Sequence, residues 1–317
     1  RGLSKRGNIL VDLPDRSRKF HKRPTPLTGG LGIFISIMLS AKIYIDLNEL
    51  NDFIPIFSES IIYTSLALLI FFIFDDYKHI RYIYRLIFQS LSSLVIILVT
   101  DVQIRNFGNL LGFGGYELGI LSIPVTIFCV VGVMNAFNMI DGINGLCAGS
   151  ALLMLLFSGF YSGFIYDSLL ILVIGSILGF LVFNLRIIGK KRNVFLGDSG
   201  SNVLGFMVAW VAIYCSQNQF YDISAMTMVW FIAIPLLDCI GLIISRTLRG
   251  ISWAAPGRDH IHHKLMLRFS PDSSLLILIL FSTCISLFAI YLDKNFNETL
   301  SFYVFVFFAI SYYLIFH

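Results

Sequence analysis

Charge is what this sequence has least of. Asp, Glu, Lys and Arg make up 13% of its 317 residues, against 57% hydrophobic residues and a mean hydropathy of +0.82. Soluble domains carry about 25% charged residues. A water-soluble fold is therefore excluded, and the chain reads as an all-α polytopic membrane protein with a single integral-membrane domain over 1–317. Cysteine is sparse too: Cys129, Cys147, Cys215, Cys239 and Cys284 stand singly, with no CxxC and no spacing for zinc or a disulfide framework, and read as small core residues. Internal repeats and low-complexity segments are missing. So is the matched pair of broken helices that a secondary transporter carries. With no initiator Met, no signal peptide and a basic stretch from Arg1 to Pro24, the chain is expected to open inside a cytoplasmic loop. The net charge of +4 gains meaning only when divided by side of the membrane, and no nucleic-acid partner is expected.

What is present is apolar sequence in span-length pieces. Ten windows, near 28–47, 60–76, 84–101, 119–138, 145–165, 167–185, 200–216, 224–247, 273–292 and 299–316, predict ten transmembrane helices. Alternating the loops between the two sides collects 20 of the 23 Lys and Arg on one side, leaving Lys42, Arg105 and Lys294 toward the other. The basic side is the cytoplasmic one. Gly-rich 102–118 falls on the opposite side and is expected to form a short β-hairpin.

The stretch NAFNMIDGINGL, residues 135–146, ends an apolar run on the cytoplasmic side. Asn135, Asn138, Asp141 and Asn144 recur every third position, a spacing that drifts about 60° per step around a helix. Asn135 and Asn138 can share a face, whereas all four cannot. Gly142 and Gly145 predict a break near Asp141 that turns Asn144 back toward the same cavity.

Other polar clusters fall on the same side. Asp75-Asp76 closes IFFIFDD, where neighbouring carboxylates at a helix C-terminus need cationic compensation. They read either as interfacial residues helped by Lys78 and Arg81 or as a site that binds Mg²⁺ or handles a proton. Adjacent side chains diverge by about 100° on a helix, so the two are expected to have different roles. VFLGDSGSN, 194–202, precedes an apolar helix: Asp198 or Ser199 serves as N-cap, and the helix N-terminus favours phosphate with a carboxylate beside it for Mg²⁺. APGRDHIHHKL gathers Arg258, His260, His262, His263 and Lys264, fitting a zinc site, an anionic lipid surface or, better, a diphosphate. Asp238 is the one carboxylate well inside a helix and is expected to face the interior. Together these clusters read as a phosphate and Mg²⁺ site at the bilayer surface.

In order along the chain, DLPDRSRKFHKRPTPLTGG, FDDYKHIRYIYR, NAFNMIDGINGL, VFLGDSGS and RDHIHH resemble the motifs of the polyprenyl-phosphate N-acetylhexosamine-1-phosphate transferases. The likeness covers nearly the whole chain and implies that a further helix precedes the first loop. It implies transfer of a sugar 1-phosphate from a UDP-N-acetylhexosamine to undecaprenyl phosphate, releasing UMP, with Mg²⁺ or alternatively Mn²⁺. It also implies a bacterial cytoplasmic membrane location, an active site on the cytoplasmic face and contact with membrane lipid. By motif, Asp198 is the principal metal ligand with Asn138 nearby, and Asp75 and Asp76 orient or deprotonate the lipid phosphate. Arg85 and Asn135 fall among the substrate-binding positions, Asn144 and Phe195 where relatives contact uracil. Arg258, His260, His262 and His263 would hold the diphosphate and sugar, with His262 grouped among the catalytic residues. Asp141 is the position once favoured as nucleophile.

Within the family, Asn144 stands where the peptidoglycan translocase has a second Asp, and HIHH replaces three consecutive His. Both differences point to enzymes that begin O-antigen or similar polysaccharides. The phospho-MurNAc-pentapeptide translocase and a polyprenyl-glycan transporter are the alternatives. The particular hexosamine and the oligomeric state, a homodimer among the options, are not readable.

Overall fold

The computed structural model describes residues 10–12, 24–48, 56–78, 80–163, 168–189, 193–253 and 257–317. Most of the basic first loop (13–23), His79 and Lys190 to Arg192, on which much of the loop-charge expectation falls, lie outside them. The chain is mostly helical: α1 (Gly29–Asn48), α2 (Ile56–Lys78), α3 (Tyr82–Thr100), α4 (Ser122–Ile140), α5 (Leu146–Ser162), α6 (Ser168–Asn184), α7 (Gly197–Gln217), α8 (Ala225–Phe231), α9 (Ala233–Leu248), α10 (Ile261–Leu265), α11 (Pro271–Asn295) and α12 (Glu298–Phe316). Each predicted window is helical, but the count of ten spans is not met. Among the described residues six helices are long and apolar enough to cross a membrane, or seven if α8 and α9 form one bent span. α1, α5 and α6 present shorter apolar stretches. The bend, 80°, falls at Ile232, and Pro235 sits in the first turn of the new helix, where its missing N–H costs no intrahelical bond. These helices make the chain a multi-pass membrane protein.

α7 is the axis of the bundle, packed by α4, α2, α5 and α1 and buried over 83% of its most apolar window, against 11% for α12. Its small residues permit this. Gly200 meets Gly30 of α1 backbone to backbone, with no room for a Cβ on either, and a Cβ on Gly205 would come within 2.8 Å of the Met134 backbone.

At the C-terminal end of α7, the 102–118 segment carries no strand pairing. Leu118 N–H donates to Arg105 O across the segment (2.7 Å), and several other backbone N–H groups go to helix side chains. Arg105 N–H donates to Gln217 Oε1 (2.9 Å), Asn109 N–H to Glu298 Oε2 (2.6 Å) and Ile104 N–H to Thr126 Oγ1 (2.8 Å). At the other end, β1 (Val11–Asp12) pairs antiparallel with β2 (Thr25–Pro26), and Phe195 N–H donates to Pro26 O (2.9 Å). This ribbon ties the first loop to the start of α7.

Candidate active site

The break in NAFNMIDGINGL falls where the glycines placed it. α4 ends at Ile140, Asp141 is its C-cap, and Gly145, at φ +82°, opens α5 in a conformation that favours glycine. Around this turn lie two adjoining cavities. One, of about 610 Å³, is lined by Asp76, Asp141, Asn144, Phe195 and Asp198. The other, of about 360 Å³, is lined by Arg85, Asn135, Asn138, His260 and His262, with Tyr82, Leu86, Met139 and Trp253 as its apolar part. Gly142 and His263 line both. The period of three thus sorts one segment between two chambers: Asn135 and Asn138 face the smaller, Asp141 and Asn144 the larger.

The two adjacent aspartates do divide their work. Asp75 is fully buried; it accepts from Ile80 N–H (2.7 Å) and pairs with Arg85 Nε (2.8 Å). Arg85 Nη1 also reaches Asp198 Oδ2 at 3.0 Å, so the compensating cation is Arg85 rather than Lys78 or Arg81. Asp76 accepts from the backbone N–H of Asp198 (3.2 Å) and of Ser199 (3.3 Å). This corrects the expected N-cap. Neither Asp198 nor Ser199 caps α7; Leu196 holds the cap position without a side-chain bond, and a carboxylate from α2 takes the anion position at the helix N-terminus.

Behind this acidic cluster runs a buried amide relay. Asn135 Nδ2 donates to Gln89 Oε1 (2.9 Å), Gln89 Nε2 to Asn202 Oδ1 (2.7 Å), and Asn202 Nδ2 to the Asp198 carbonyl (2.8 Å). Asn138 Nδ2 donates to Ser201 Oγ (2.9 Å). Asn138 therefore supports the Asp198 turn but lines the other cavity. Asn144 Nδ2 donates to the Asn184 carbonyl (2.8 Å), while Asn184 accepts from Gly145 N–H (2.6 Å) and donates to Val194 O (2.8 Å). Gln89, Asn184 and Asn202 were missed in sequence; Gln89 and Asn202 are amides inside apolar helices and Asn184 ends one, the signal that marks a purposeful polar group in a membrane. Asp12, Arg186 and Asp272 also line the larger cavity and carry no comparable signal.

The histidine loop closes the smaller cavity. Asp238, 1% exposed, faces inward as expected, with Oδ2 2.7 Å from His260 Nδ1 and Oδ1 accepting from Ile261 N–H (2.8 Å). His262, also 1% exposed, has no hydrogen-bond partner at either ring nitrogen among the described residues and packs against Gly142, where a Cβ would overlap its ring. Burial, then the neighbouring His263 and His260, hold its pKa down to about 3. His263 is lowered for the same first reason, with His260 and Arg258 adding to it. Arg258 itself is exposed and lies outside both linings.

Asp141 behaves oppositely: burial and then the negative charges of Asp198 and Asp76 push its carboxyl up to about 8. Three carboxylates that repel across one cavity make a donor set that a divalent cation would relieve. Among the described residues no group of three His, Cys, Asp or Glu could by itself hold a metal ion.

A sequence profile of glycosyl transferase family 4 matches residues 59–216, the stretch from α2 to the end of α7. The undecaprenyl-phosphate alpha-N-acetylglucosaminyl 1-phosphate transferase of Yersinia pestis is 33% identical over 263 residues, 81% of this chain and 69% of that protein. The protein of the same name from Escherichia coli K12 is 32% identical over the same shares. A probable undecaprenyl-phosphate N-acetylglucosaminyl 1-phosphate transferase of Bacillus subtilis is 29% identical over 90% of this chain and 77% of its own length. With its motifs gathered around two joined cavities and this likeness along most of its length, the chain belongs to glycosyl transferase family 4, the polyprenyl-phosphate sugar-1-phosphate transferases.

Proposed function

We propose that this protein transfers an N-acetylhexosamine 1-phosphate, GlcNAc 1-phosphate in the first instance, from its UDP-sugar to undecaprenyl phosphate. The products are undecaprenyl diphosphate sugar and UMP, the first step of a surface polysaccharide such as O-antigen. The observation that carries the reading is the pair of cavities meeting at Gly142 and His263, one acidic and polar, the other cationic with apolar walls. The larger suits a nucleoside diphosphate and its metal, and its volume lies within the usual range for small-molecule sites. The smaller offers Arg85, Arg246 and histidines to a phosphate and Tyr82, Leu86, Met139 and Trp253 to the start of an isoprenoid chain. The names of the relatives support both the acceptor and the sugar.

A phosphate monoester has its second pKa near 6, so the acceptor is largely a dianion at neutral pH and needs little help from a base. Its oxygen attacks the sugar-bearing phosphorus of the donor in line, and the bond to the bridging oxygen breaks to release UMP. Mg²⁺, when bound, would neutralise charge on the donor diphosphate, with Asp198 as its principal ligand and Asp76 and Asp141 close by. Asp75 is a poor nucleophile: it is fully buried and its oxygens are engaged by Arg85 and the Ile80 N–H. Arg85 instead orients phosphate next to Asp198. Asn144 and Phe195 provide a polar and an aromatic surface for uracil.

Purified protein supplied with undecaprenyl phosphate, Mg²⁺ and a panel of UDP-N-acetylhexosamines should release UMP with one or a few of them and lose that activity in Asp198→Ala. Absence of UMP with every donor, or a phosphoryl group trapped on Asp141 during turnover, would overturn the reading or its mechanism respectively.

A further inference from the structure

A carboxylate in the middle of an apolar helix is costly unless each oxygen is used. Asp238 of α9 uses both, and both go to one turn. Oδ1 takes the Ile261 N–H at the start of α10, a helix whose own N-cap residue, His260, offers no side-chain bond. Oδ2 takes the His260 ring at Nδ1, 2.7 Å away. Holding the backbone alone would need only the first contact. The second fixes a ring, and a carboxylate on one imidazole nitrogen determines which nitrogen carries the proton. His260 lines the smaller cavity, and its Nε2 is the ring nitrogen that Asp238 leaves free. The His260 ring also lies parallel to His262, at 5.4 Å and 16° between planes, so orienting one ring constrains the next.

We propose that Asp238 is a positioning residue of the transfer reaction, holding His260 by Nδ1 so that Nε2 is presented to the phosphate in the smaller cavity. The proposal rests on the transferase reading above. His317 of the α12 end stands on the other side, its Nε2 3.8 Å from Asp238 Oδ1, too far for a hydrogen bond, so His260 is the imidazole that Asp238 governs.

The test is a double-mutant cycle on the full-length protein, with kcat and KM taken from UMP release. Asp238→Asn keeps an acceptor for Ile261 N–H and turns an amide donor toward His260. It should lower kcat about 10- to 100-fold, the range seen for carboxylates that orient metal-bound histidines, with KM for the UDP-sugar little changed. In a His260→Ala background the same substitution should cost nothing further. An equal loss in both backgrounds, or parental kcat in the single variant, overturns the positioning role while leaving the transferase reading intact. A parent protein that releases no UMP overturns the transferase reading and this role with it. If Asp238→Asn fails to fold, ¹⁵N imidazole spectra of the parent, assigned with His260→Gln, decide the matter. A proton on His260 Nδ1 is expected, and its absence overturns the proposal.

Discussion

At the scale of single residues, His262 and Gly142 are the pair to perturb. An unfolded imidazole takes its proton near pH 6.5, whereas His262, desolvated and beside two other histidines, resists until about 3. Between those values the unfolded chain binds more protons, so stability is fully present above pH 6.5 and is lost as pH falls toward 3. Thermal unfolding in detergent at pH 7.5 and 4.5 should therefore show a smaller acid loss in His262→Gln than in the parent. Gly142→Ala places a methyl group into the His262 ring. It should lower kcat by about 100-fold through misplacement on the order of 1 Å, and unchanged turnover in a folded variant would contradict the contact. Much of this was legible from the motifs, because Asn, Asp, Gly and His at the ends of apolar runs have few other reasons to be there. What could not be read was the pairing. Nothing in FDDYKHIRYIYR says that Arg85 bridges Asp75 and Asp198, since that bridge depends on how α2 and α7 set the two carboxylates beside α3.

Among the elements, α7 carries the most consequence. Its N-terminus is met from outside by Asp76, so Asp76→Ala leaves two partly buried N–H groups without their acceptor and should cost about 1–2 kcal/mol on that account. Asp76→Asn should recover part of this stability, measured by thermal unfolding, without recovering activity. The sequence placed an anion at this helix end but assigned it to a residue of α7 itself, because local capping is visible in sequence and capping from another helix is not. The windows found each long helix, yet the 80° bend between α8 and α9 sits inside what read as one span, and α10 lies in no window. A hydropathy window averages over the bend, whose one local signal is Pro235. Gly200→Leu tests the α1–α7 crossing: overpacking there should cost about 1–3 kcal/mol and lower the unfolding temperature.

For the whole molecule, orientation is the property to establish. The 21 residues of α7 extend about 30 Å, separating Gly197 at the site from Gln217 at the opposite end. Exposed Ile187 lies beyond α6 near the site, and exposed Phe220 just beyond the C-terminus of α7. In a cysteine-free background, an impermeant maleimide should label Ile187→Cys only in inside-out vesicles and Phe220→Cys only in right-side-out vesicles. Labelling of both from one side would refute the topology read from the loop charges. The contact between the two cavities bears on kinetics as well. Because the two cavities meet at Gly142 and His263, each substrate has its own chamber beside the other and neither must leave for the other to enter. Initial velocities measured against both substrates should therefore give intersecting reciprocal plots, the mark of a ternary complex, rather than the parallel lines of a shuttling enzyme.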